Sequence, residues 1–150
     1  MKIQEGEVFA IQTKIGFGFL QYIIPDQFGV EIIRVLEAIK PNNEISQQEV
    51  DAPERYTVHF VIKAALRRKL IYRRSLFKIP ENYIIPEKGR EKHTVRGEFL
   101  GWHITDLKTL KIESKSELTL DDLKLPPTGH PNDTSIREWL ENNWRLENWK

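Results

Sequence analysis

At 150 residues the chain is the usual size of one domain, and a chain of that length buries roughly 68–70% of its unfolded surface, enough for a core without covalent staples. It has no cysteine, which excludes disulfides, thiolate nucleophiles and Cys-based zinc sites and fits a cytosolic setting. The net charge of +1 hides a segregation: residues 1–59 hold five basic against nine acidic side chains, and residues 60–96 hold eleven against three. Residues 97–112 balance, and residues 113–150 hold five basic against eight acidic. Such a partition shapes a field that acts on partners rather than on the fold. The opening Met1-Lys2-Ile3-Gln4-Glu5 lacks the apolar run of a signal peptide, and no stretch approaches the ~18 apolar residues that span a bilayer. A soluble, cytoplasmic, single domain over residues 1–150, with no membrane partner, is the expectation.

Residues 7–13 are rich in β-formers, with Val8 and Ala10 on one face and Phe9, Ile11 and Thr13 on the other. Residues 17–24 form a second such run, and Lys14-Ile15-Gly16 is short enough for a hairpin loop. Gly16 and Gly18 flank a single Phe. Glycine inside a strand marks a bulge, a bend or a close backbone approach. The bend is expected here, because small barrels close through bent strands. A phosphate cradle would need a third glycine and a helix just after the loop, and neither is present. Pro25-Asp26 breaks the run, and residues 30–36 form a third strand.

Residues 41–55 read as a polar loop with one helical turn at 44–50. At 56–66 the chain starts as a strand, and Ala64-Ala65-Leu66-Arg67-Arg68-Lys69 fits either helix or strand. Residues 70–79 read as a strand ended by Pro80, residues 80–97 as an exposed loop, and residues 98–107 as a strand. The short apolar pieces of 108–125 suit edge strands. After a turn-rich linker at 126–133 comes the clearest helix. Ser135 with Glu138 matches a capping box, Asp133 and Thr134 are alternative caps, and Ile136, Trp139, Leu140 and Trp144 form one stripe. The expected fold class is α+β: a strongly bent, antiparallel, barrel-like sheet with the C-terminal helix packed on it.

Catalytic constellations are weak. His59, His93, His103 and His130 form no close pair in sequence, and His103 with Asp106 falls on a strand, where residues three apart face opposite ways. There is no nucleophile elbow and no P-loop. No catalytic residue, cofactor site or metal site is expected, and His59 reads as a satisfied or surface-facing histidine in an apolar strand. The basic run at 63–78 carries more weight. Arg67, Arg68, Lys69, Arg73, Arg74 and Lys78, interleaved with Tyr72 and Phe77, suit phosphates or an acidic protein face. The same charges would also guard an edge strand against aggregation. Arg73 and Arg74 must point to opposite sides of a strand. Trp102 is a candidate interface anchor, or else a core tryptophan. The candidate partner-binding residues are therefore Arg67, Arg68, Arg73, Arg74 and Trp102.

Gly6-Glu7-Val8-Phe9-Ala10-Ile11, followed by Gly16-Phe17-Gly18, resembles the opening of the immunity-protein-26 family of bacterial polymorphic toxin systems. That pattern runs Gly-Asp-Val-Phe-Ala-Ile, a short turn, then aromatic-Gly-aromatic-Gly. The specific portion covers residues 6–24, departing at Glu7 and at Ile15, where an aromatic is usual. Gly101-Trp102-His103-Ile104 is similar to a later Gly/Trp strand of that family. The resemblance implies a cytoplasmic, non-catalytic protein that binds a cognate toxin domain, often a nuclease, and blocks it without a cofactor. Either the acidic N-terminal third or the basic centre would then face the toxin. The alternative is a nucleic-acid-binding small β-barrel that uses the basic 63–78 stretch.

Overall fold

The computed structural model describes residues 2–150. Two antiparallel sheets make up an α+β fold. The larger contains β1 (Glu7–Thr13), β2 (Gly16–Pro25), β3 (Glu31–Val35), β4 (Tyr56–Phe60) and β5 (Tyr72–Leu76), in the order β4-β3-β2-β1-β5. The smaller contains β6 (Lys88–Val95), β7 (Glu98–Asp106) and β8 (Ile112–Lys115), in chain order. Among the described residues three short α-helices punctuate them, α1 (Gln47–Asp51), α2 (Ile62–Arg67) and α3 (Asp133–Glu141), with single 3-10 turns at Asp122–Lys124 and Leu146–Asn148. Among the described residues no helix is long and apolar enough to cross a membrane.

The large sheet does not close into a barrel, because β4 and β5 are its two edges and do not pair with each other. No β-bulge falls at Gly16 or Gly18. The β1–β2 register runs unbroken through Thr13↔Gly16 and Ile11↔Gly18, and the irregularities fall between Tyr22 and Ile24 and between Glu7 and Phe9. Gly18 instead clears space for α3. A Cβ there would lie 2.5 Å from Leu140 Cδ1 and 3.3 Å from Ile11 Cγ2.

Alternation along β1 and β2 divides the core by face. Phe9, Ile11, Leu20 and Tyr22 join Ile33, Val58, Ile62, Ile136 and Leu140 on the face covered by α2 and α3. Val8, Ala10 and Phe19 meet Leu36 and Val50 on the other, beneath α1 and its flanking segment. Of the stripe predicted for α3, Ile136 and Leu140 are buried and Trp139 packs against the same core, whereas Trp144 lies beyond the helix end at Glu141, and the cap is Asn132, whose side chain accepts from the Ser135 N–H. A chain of ring contacts runs from Tyr56 through Trp139, Trp144 and Trp149 to Trp102 on β7, tying the C-terminus across both sheets.

The charged segment expected as an exposed loop holds β6. It pairs with β7 through a two-residue turn, Arg96-Gly97, with φ of +52° and +80°, the backbone of a type I′ hairpin turn. Its inward residue is Arg90, which is 0% exposed and lies over Trp102 and Trp149 at 4.9 and 4.4 Å from the ring centroids. A second buried guanidinium, Arg34, bonds Gln21 Oε1, Glu54 Oε1 and the carbonyls of Val50 and Ala52, which pins the α1 segment to β3.

Several carboxylates sit below their ordinary pKa because the fold pairs them. Glu37 is lowered chiefly by the Arg145 hydrogen bond. Burial alone would raise Asp122, but hydrogen bonds from Lys115 and from the Thr119 N–H outweigh it. Groups with depressed folded pKa stabilise the protein above their unfolded values, and that stability is lost as pH falls through the folded values. The thermal midpoint should therefore stay level from neutral pH down to about 5 and fall steeply below about 4. Calorimetry across pH checks this, and a midpoint still level at about pH 3 would contradict the role of these pairs.

Candidate functional site

Two surface features stand out, a cationic edge and a cleft between the sheets. The edge is built by α2 and β5. Helix α2 follows β4 directly and ends at Arg67 and Arg68, after which Lys69 turns the chain with φ +58° into Leu70 and β5. All five side chains of β5 are exposed, and its outer edge is unpaired among the described residues. Arg67, Arg68 and Arg74 are exposed and join none of the ion pairs found among the described residues.

Arg73 differs. Its Nε donates to Glu7 Oε2 at 2.6 Å, and Nη2 donates to Glu7 Oε1 and to the Lys2 carbonyl, both at 2.8 Å. Arg73 thus closes β5 onto the start of β1, and only part of its charge remains available to a partner. Trp102 is 3% exposed, packed beneath Arg90 and edge-on to Trp149 at 5.1 Å. A ring buried to that degree offers no surface to a partner, so Trp102 is a core tryptophan. Of the five candidates, the structure leaves Arg67, Arg68 and Arg74 as free surface charges.

The cleft, about 640 Å³, is lined by Asp26, Gln27, Ile32 and His59 on the large-sheet side and by Pro86, Asp106 and Leu107 on the other. Pro25 ends β2, and Asp26 opens a tight turn. Its Oδ1 accepts from the N–H of Phe28 (2.7 Å) and Val30 (3.0 Å), the local side-chain bonding that favours Asp at a turn. Gln27 reaches across to the carbonyls of Leu107 and Lys108, both at 3.2 Å. His59, opposite Ile32 in the β3–β4 register, donates from Nδ1 to Asp26 Oδ2 at 2.8 Å. Burial would raise the Asp26 carboxyl, but His59 and the two backbone N–H groups hold it below its usual range. His130, exposed in the linker before α3, stands with its ring 6.3 Å from that of His59.

His59 is therefore a satisfied histidine, as its sequence context suggests. Close histidine pairs nonetheless exist, which the linear spacing hides. Besides the His59–His130 approach, His93 and His103 stack at 4.1 Å across β6 and β7. A second hollow, about 690 Å³, lies by Tyr56, Leu123 and Pro126. The Tyr56 hydroxyl is buried without a hydrogen-bond partner, and burial drives its pKa far upward. Compared with known proteins, the chain matches no family model, no curated protein and no solved structure.

Proposed function

We propose that this chain is a cytoplasmic, non-catalytic immunity protein that binds a cognate toxin domain and neutralises it by covering it. The family suggestion comes from the strand–turn–strand of residues 6–24. Val8, Phe9, Ala10, Ile11, Phe19 and Leu20 of that stretch are fully buried, so the resemblance bears on architecture and the binding surface lies elsewhere. The observation that carries the reading is the cationic edge. Strand β5 has every side chain exposed and, among the described residues, a free edge, and it follows a helix end whose arginines join none of the ion pairs found among those residues. Uncompensated charge beside an exposed edge favours an acidic protein face, where complementary potentials speed encounter and fix register.

Replacing Arg67, Arg68 and Arg74 together by Glu tests this. Co-purification with the product of the adjacent open reading frame, followed by calorimetric titration, should show one-to-one binding in the native chain. In the triple variant affinity should fall at least about tenfold, equivalent to about 1.4 kcal/mol. Its unfolding free energy should change by no more than about 0.5 kcal/mol, since the three side chains are exposed and unpaired. Unchanged affinity would reduce these arginines to guards of an edge. Retention of RNA that weakens steeply with salt, with no toxin recovered, would favour nucleic acid instead.

A further inference from the structure

We propose that Asp26, His59 and His130 form a binding site for a divalent transition-metal ion of the zinc class. One donor atom from each of the three lies within 4.8 Å of the others, and among the described residues this is the only group of three such side chains so placed. Nitrogen and oxygen donors at 2.0–2.2 Å from a tetrahedral zinc sit roughly 3.3 Å apart. Asp26 Oδ2 and His59 Nδ1 are already 2.8 Å apart. Closing the site asks for the proton between His59 Nδ1 and Asp26 Oδ2 to be displaced by the metal and for an adjustment of the exposed His130 side chain.

Two of the donors are held by the fold. Asp26 commits Oδ1 to the N–H groups of Phe28 and Val30, which leaves Oδ2 directed at the site. Such outer hydrogen bonds orient a ligating carboxylate and tune its metal. His59 is set by its place on β4, opposite Ile32. Among the described residues no lysine or arginine competes for the carboxylate, because the one ion pair that Asp26 makes is with His59. Two imidazoles and a carboxylate suit zinc and its neighbours in the first transition row rather than calcium or magnesium. Three protein donors leave a fourth position for water, and Asp26, His59 and His130 together line a small hollow of about 150 Å³ that shares Asp26 and His59 with the cleft.

The three ligands come from the β2–β3 turn, from β4 and from the linker before α3. A bound ion would fasten that linker to the large sheet. The His93–His103 stack is the competing histidine pair, and no third donor stands within the same reach of it among the described residues.

The full-length chain, stripped with a chelator and dialysed, is titrated with Zn²⁺ by calorimetry and with Co²⁺ by visible absorption. Expected are one equivalent of either ion, visible bands of low-symmetry Co²⁺, and a higher unfolding midpoint with Zn²⁺. His130→Ala is the decisive variant, since its side chain is exposed and its ring neighbour is His59 of the same site. It should weaken Zn²⁺ binding at least about tenfold and abolish the Zn²⁺-dependent rise in midpoint, while the metal-free midpoint stays unchanged. His93→Ala should bind as the native chain does. Absence of stoichiometric binding at micromolar Zn²⁺ would overturn the proposal. So would a His130→Ala variant that binds like the native protein, or loss of binding in His93→Ala.

Discussion

Replacing Arg90 with alanine should destabilise the protein by about 4 kcal/mol, lowering the thermal midpoint by roughly 8–16 °C for a chain of this size. The guanidinium is fully buried, and its partners are backbone carbonyls: Leu125 at 3.2 Å, Leu123 at 3.3 Å, Leu146 at 2.7 Å and Trp149. Removing it strands the buried Leu146 carbonyl and leaves three partly buried ones without their donor, at about 1–3 kcal/mol for each one left unsatisfied. It also removes the plane on which Trp102 and Trp149 rest. Burial lowers its pKa to about 10, so the cation persists at neutral pH. Arg90→Lys should fall between the native chain and the alanine variant, because an ammonium keeps the charge but neither spans that carbonyl fan nor stacks on both rings. Urea unfolding followed by far-UV circular dichroism and tryptophan fluorescence decides it. An alanine variant within about 1 kcal/mol of the native protein would mean that β6 and the C-terminal segment are held by other contacts.

Arg90 also explains why β6 is hidden in the sequence. Lys88-Gly89-Arg90-Glu91-Lys92-His93 has no apolar alternation, so it looks solvated. The inward position is taken by an arginine that behaves as an aromatic-stacking core residue, and on the opposite face Gly89 is covered by Thr128, whose Cγ2 would lie 2.8 Å from a Cβ there. Where the inward residues are aliphatic, as along β1, β2 and β3, period-two reading places the strands to within a residue or two. The stripe of α3 is equally plain, since Ile136 and Leu140 recur at helical spacing beside two tryptophans. Barrel closure cannot be read locally. It depends on whether β4 and β5 meet, and residues 61–71 carry the chain away from β4 without bringing β5 back beside it.

Less of the site is legible. The free arginines at the end of α2 and on β5 follow from composition. That Arg73 is engaged by Glu7 is a tertiary fact, since the two lie 66 residues apart. Asp26 and His59 are 33 residues apart, and His130 lies far beyond both. Only the convergence of a turn, a strand and a linker brings these three donors together. One signal is available: Pro25-Asp26 before Gln27-Phe28-Gly29 is an Asp-initiated turn, and such a turn fixes its carboxylate in a definite direction.

Gly6→Ala should cost about 3–5 kcal/mol, far more than Gly29→Ala, although both glycines have similar positive φ, +90° and +82°. An L-residue in that region costs about 1–2 kcal/mol wherever it sits. At Gly29 nothing lies within 4 Å of the place a methyl group would take, so that strain is the whole cost. At Gly6 a Cβ would stand 2.2 Å from the carbonyl oxygen of Phe77, which is backbone and cannot swing aside. Relief requires moving Phe77 away, and Phe77 N–H donates to the Gly6 carbonyl at 3.1 Å while the buried Gln21 amide bonds both carbonyls. The end of β5 would therefore separate from the start of β1, loosening the Arg73–Glu7 pair that lies beside it. Paired urea denaturation of the two variants measures the difference. Equal losses would show that the glycine is needed for its φ alone. A gap of about 2 kcal/mol or more would show that Gly6 opens the strand–turn–strand because β5 must approach it closely, so that any loss of partner binding in this variant follows from displacing the cationic edge.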